Sequence, residues 1–300
     1  MKMAEGFFQS GTATDPAYVN VRDKNHLRVE DARKFCEELW VKHGPYADRT
    51  FLSDAKNHFQ QRFWEMYLGV TLTKKGFKLT NQGDTGPEFY FMVGEKKVWV
   101  EAVAPGPGDG QDAVREPEGK DGDLTEEMRK RIILRYTHAL RDKLNKYNEA
   151  VKKGIIGVND CYVIAVNCRA IPGASLGFTL PYYLNAYIGA GDLVVEIDRQ
   201  TGKIVDRYHE FKGEVTKKKR APVSTAPLLT DEYAGISGVL HSAVDPANRP
   251  KQMGDDFEFL HNPLASQPIE RSVFSFCRQY VYSPERGELQ TLEPSQVNGN

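Results

Sequence analysis

The apolar positions change period along this chain, from helical spacing in the first seventy residues to strict alternation near residue 90, then back to helical spacing beyond residue 123. Between Val29 and His43, Phe35, Cys36, Leu39 and Trp40 recur at helical spacing, and Gly44-Pro45 stops the run. A second helix is expected from Ser53, a good N-cap, through Phe59, Phe63, Trp64, Tyr67 and Leu68 to about Thr73. Residues 76–81 read as a short strand entering a turn at 83–87. Alternation then predicts a hairpin closed by Gly94-Glu95 and running to about Ala104. A Gly-, Pro- and Asp-rich loop (105–122) follows, placed where it could lie over a cleft as a lid. Asp123, with Glu126 three residues on, has the capping-box pattern of a long helix. Its stripe is Met128, Ile132, Tyr136, Leu140, Leu144, Tyr147 and Val151, and Gly154 ends it. Tyr162 to Asn167 is a near-continuous apolar run, expected as a fully buried central strand. A second hairpin is expected over 193–197 and 203–211, and a further strand over 236–242. This order implies an α/β protein with a mixed central β-sheet flanked by helices.

The first hairpin carries the candidate chemistry. Two-residue closure pairs Val93 with Lys96, and continuing outward sets Glu88 opposite Glu101. Phe89, Phe91, Val93, Val98, Val100 and Ala102 share the other face, as a core side requires. Two like charges directly opposed repel unless a divalent cation or a shared proton neutralises them. Tyr90, Met92 and Trp99 lie on the glutamate face, which suggests a covered cleft rather than open solvent.

Three segments in order, Phe63-Trp64-Glu65-Met66-Tyr67-Leu68-Gly69, Gly86-Pro87-Glu88 and Trp99-Val100-Glu101, resemble the PD-(D/E)XK nuclease superfamily. The resemblance spans residues 50–170, about half the chain. It implies a restriction-endonuclease-like core over 51–170. An N-terminal helical extension (1–50), a C-terminal β-rich elaboration (171–285) and a flexible tail (286–300) complete the expected organisation. It further implies that Glu88, Glu101 and the Ala102 carbonyl hold Mg²⁺ or Mn²⁺, and that Glu65 acts through water. The substrate is then the phosphodiester backbone of DNA or RNA, and a homodimer is possible. The chain departs from the pattern at Val103, where the family places a lysine. Lys143, one turn before Tyr147, is the candidate for a migrated cation and the fourth catalytic residue. Arg131, Arg135 and Tyr147 on the same helix are the candidate substrate-binding residues. The alternative is a catalytically inactive module of the same fold that binds nucleic acid or a protein partner.

Composition narrows these readings. The net charge is −1, so no global basic field exists and nucleic-acid contact rests on local patches, among them Lys217-Lys218-Lys219-Arg220. Four scattered cysteines form no Cys-x-x-Cys pair, which argues against zinc and points to buried free thiols in a reducing compartment. No signal-peptide run or membrane-length apolar stretch is present, so a cytoplasmic protein is expected. No P-loop, dinucleotide fingerprint, Gly-x-Ser-x-Gly elbow or His-Glu-x-x-His appears. His261-Asn262-Pro263 is expected as a turn.

Overall fold

The computed structural model describes residues 5–81, 86–116, 125–176, 180–216 and 222–297. The N-terminal helices are α1 (Pro16–Asp23), α2 (Leu27–His43), α3 (Phe51–Ala55) and α4 (Phe59–Lys74). The single helix expected from Ser53 is two. The reason is Asp15, more than forty residues away. The segment before α1 donates from Thr14 and Asp15 to the Lys56 carbonyl, and the Asp15 carboxylate accepts from Phe59 N at 2.9 Å. Its other oxygen accepts from Ala17 and Tyr18 N, so one side chain caps both α1 and α4. Ser53 is not the cap; α3 starts after Thr50, and the Ser53 hydroxyl donates back to the Thr50 carbonyl. Asp15→Ala is expected to cost about 2 kcal/mol, about 1 for each helix it caps. A shift in the urea midpoint measures this, and a change below about 0.5 kcal/mol would refute the double cap.

The sheet begins with β1 (Phe89–Val93) and β2 (Lys96–Val103), antiparallel in the expected register from Val93↔Lys96 to Phe89↔Val100. Gly94 opens the turn at φ 58°, a conformation that favours glycine. Residues 76–81 contribute only an isolated bridge, Thr80 with Tyr90. Helix α5 (Glu126–Lys152) crosses over to β3 (Cys161–Asn167), which runs parallel to β2. Its cap is Thr125, whose hydroxyl accepts from Met128 N; Asp123 lies outside the described residues, as does the basic run at 217–220. Beyond β3 come α6 (Tyr182–Ile188), a hairpin of β4 (Ala190–Ile197) and β5 (Ile204–Phe211), and a small pair, β6 (Glu214–Thr216) and β7 (Pro222–Ser224). The sheet then resumes with β8 (Gly238–Ser242), β9 (Glu258–His261), β10 (Arg278–Ser283) and β11 (Glu288–Leu292), followed by α7 (Pro294–Val297).

Seven strands therefore form one mixed sheet in the order β1-β2-β3-β8-β9-β10-β11. The tail expected to be flexible from 286 instead supplies an edge strand, paired with β10 from Gln279↔Leu292 to Ser283↔Glu288. Two apolar clusters cover the two faces. Phe89, Phe91, Val98, Val100, Ala102, Val163 and Ala165 share one apolar cluster with the N-terminal helices. Trp99, Tyr162, Ile164 and Val166 pack against α5 through Ile132, Tyr136, Leu140 and Leu144 and against α6 through Tyr183, Leu184 and Tyr187. Alternation along β2 thus sends Ala102 to one layer and Glu101 to the other. Asn262 donates to the carbonyls of Tyr233 and Ile236, which confirms the expected turn role of its segment. All four cysteines are free and buried, and no described helix is long and apolar enough to cross a membrane.

Candidate active site

Strand β1 ends one residue too soon for its partner. Phe89 pairs with Val100, so no residue of β1 lies beside Ala102. Glu88 fills that place with its side chain, Oε2 accepting from Ala102 N at 2.7 Å. Gln61, on α4, does the same one step further: its Oε1 accepts from Ala104 N at 2.7 Å. The ladder positions left open on β2 are thus closed by polar side chains, because an unpaired buried amide is costly. This is how two acids and an amide converge on one strand end.

Glu101 is 3% exposed and its partners come from α5. Lys143 and Lys146 both donate to its Oε1, Lys146 at 3.1 Å. Lys143 is itself buried, whereas the Lys146 side chain is 63% exposed. Burial alone would raise the Glu101 pKa, but the two ammonium groups outweigh it and hold the carboxyl below its ordinary value. Glu88 behaves oppositely. Withdrawal from water, then repulsion by Glu101 and by Glu65, push its pKa well above the ordinary carboxylate value.

Glu65 is buried on α4 and held at both oxygens: Oε1 accepts from Gln61 Nε2 at 2.8 Å and Oε2 from Arg62 at 2.8 Å. Its pKa is raised, chiefly by burial, against the pull of Arg62. Arg62 also pairs with Asp48 at 3.0 Å and Asp54 at 2.7 Å, tying the acid site to α3 and the loop before it. Gln61, Arg62 and Lys146 were not singled out from sequence. Gln61 lies four residues before Glu65 and Lys146 three after Lys143, the helical spacings that place side chains on one face.

The remaining candidates have partners within the protein. Arg131 donates to the Ala113 carbonyl at 3.1 Å and Arg135 to the Gly106 carbonyl at 2.8 Å, so both pin the loop that leaves β2. That loop approaches Arg135 closely at Gly108, φ 81°, where an added Cβ would lie 2.9 Å from the guanidinium. Tyr147 packs its ring 5.0 Å from that of Tyr162. A cleft of about 740 Å³ opens beside Glu65 and Glu88, and a second of about 230 Å³ beside Glu101 and Lys146.

Among the described residues, no group of three or more His, Cys, Asp or Glu side chains stands ready to hold a metal. Magnesium, however, needs only one or two carboxylates when substrate phosphate and water complete its shell. A cation shared by Glu88 and Glu101 would relieve the repulsion that adds to burial in raising the Glu88 pKa. Comparison with protein-family models, curated proteins and solved structures finds no match to this chain.

Proposed function

We propose that this protein is a divalent-metal-dependent nuclease with a restriction-endonuclease-like core formed by α4, β1, β2, α5 and β3. The observation that carries the reading is the Lys143 ammonium on Glu101. A lysine missing at Val103 is supplied from the next helix, at the acid pair that the sequence pattern marks. The order helix, antiparallel hairpin, crossover helix and parallel strand supports the same reading.

Glu88 and Glu101 would hold Mg²⁺ or Mn²⁺, with the Ala102 carbonyl beside them. The chemistry supplied by the bound ion is polarisation of the phosphodiester and a lowered pKa for the attacking water. Glu65, fixed by Gln61 and Arg62, orients that water. Lys143 places positive charge where negative charge grows on the phosphoryl group. In the test, cleavage of DNA and RNA with Mn²⁺ or Mg²⁺ is compared between the wild type and Glu101→Gln. The amide oxygen can still accept from Lys143, but that buried ammonium loses its counter-charge, so the comparison is made on variant protein that circular dichroism shows to be folded. Cleavage by the wild type that falls at least about 10²-fold in the variant is the expected result. Cleavage undiminished in the variant rejects the assignment.

A second reading rests on the same contact. Lys143 and Lys146 together satisfy Glu101 without any metal. In an inactive nucleic-acid-binding module they would replace the ion permanently. Calorimetric titration separates the two: absence of Mn²⁺ binding, with nucleic acid still bound, selects the inactive module.

A further inference from the structure

Gly86 lines both clefts; Glu88 faces the larger one and Glu101 the smaller. Their charges differ. The larger one contains Asp48, Glu65 and Glu88 against Arg49 and Arg62. Arg62 is consumed by three carboxylates, those of Asp48, Asp54 and Glu65. His43, buried in the same wall, is neutral at physiological pH, because burial brings its pKa down to about 4. The three carboxylates outnumber the two guanidinium groups of this wall, so a phosphate is repelled more than drawn in. The smaller cleft sets Lys146 and Lys153 against Glu101 and Glu149, and Lys143 behind Glu101 tips it positive. Phosphates belong on that side.

The larger cleft suits a neutral, flat, hydrogen-bonding group. At about 740 Å³ it lies within the range of small-molecule sites. Tyr46 presents a partly exposed ring, backed by the buried His43 ring at a centroid distance of 6.3 Å. Arg49 is exposed and makes no ion pair among the described residues, so its donors are available to a base edge. A base stacked in a duplex cannot reach into such a cleft, whereas an unstacked one can.

We propose that the cleft beside Glu65 and Glu88 receives one unstacked nucleobase, while the phosphates of the same strand follow Lys146 and Lys153 across the Gly86-Pro87 ridge. The proposal rests on the nuclease reading and names its substrate class: a strand that is single, or unpaired at the position next to the acid pair.

The test is binding, without divalent ions, by fluorescence anisotropy of three labelled DNAs. They are a single strand, a blunt duplex, and that duplex with one bulged nucleotide. The single strand and the bulged duplex are expected to bind about tenfold or more tighter than the blunt duplex, since stacking on an aromatic ring is worth this much per base. Tyr46→Ala and Arg49→Ala should each reduce that preference towards parity. Arg49 is at the surface, so its variant tests the idea even if Tyr46→Ala does not fold. Equal affinity for the three DNAs, no binding of any, or a preference untouched in Arg49→Ala overturns the proposal. A preference lost in the variants, without cleavage in Mn²⁺, would keep the base cleft and reject the nuclease. Cleavage of blunt duplex by a protein with no preference would do the reverse.

Discussion

Lys143→Met is expected to destabilise the protein by about 3 kcal/mol, the lower end of the cost of stranding one member of a buried ion pair. Glu101 keeps Lys146, but that side chain is mostly in water and its attraction is screened. The buried acid is then left with one bond instead of two. Because the loss arises from an uncompensated charge, removing the charge should restore stability. The double variant Lys143→Met with Glu101→Leu is expected to recover most of the loss, although it deletes the whole interaction. Urea denaturation of both variants measures this, and a double variant no more stable than Lys143→Met would refute the account. The acid side gives a second check. Glu101 has a lowered folded pKa, so the stability it contributes is present above its unfolded value, about 4.3, and is lost as pH falls through the folded one. Lys143→Met should flatten that loss.

Glu88→Gln should move function and stability in opposite directions. Its folded pKa is raised, so the sign is reversed: the folded state gains stability as pH falls through that value, and ionised Glu88 is the less stable form. A permanently neutral amide removes this repulsion, while its oxygen can still accept from Ala102 N. A gain of about 1 kcal/mol at neutral pH is expected, as for other groups whose strain serves a site. Metal-dependent cleavage should fall at least about 10²-fold, because half of the carboxylate pair is gone. Lower stability in Glu88→Gln would show that Glu88 is not repelled, and unaltered cleavage would remove it from the metal site.

The hairpin was legible because its two constraints are local. A two-residue turn fixes the register and period-two alternation fixes the faces, but the ladder stops at Phe89, so the expected Glu88–Glu101 pair is not formed and Glu88 accepts from Ala102 N instead. The apolar runs of α2, α5 and β3 were equally plain, since each buries one stripe or both faces. Boundaries set from afar were not. The helix broke at 56–58 because Asp15 and Thr14 took its hydrogen-bonding groups, and periodicity has no record of such a partner. Residues 288–292 read as polar tail, yet an edge strand needs little burial and draws its stability from the neighbouring ladder.

By itself, then, the sequence determined the α/β layering, the hairpin register and the chemical identity of the acids, all consequences of short-range period and turn geometry. The tertiary structure alone decided which charges meet. Lys143 and Lys146 reach Glu101 because the crossover helix lies over β2, and Gln61 reaches the open end of β2 because α4 covers the opposite face. The opposite shifts of Glu88 and Glu101 follow from that packing, since burial and the sign of the nearest charge are properties of the fold and not of the residue.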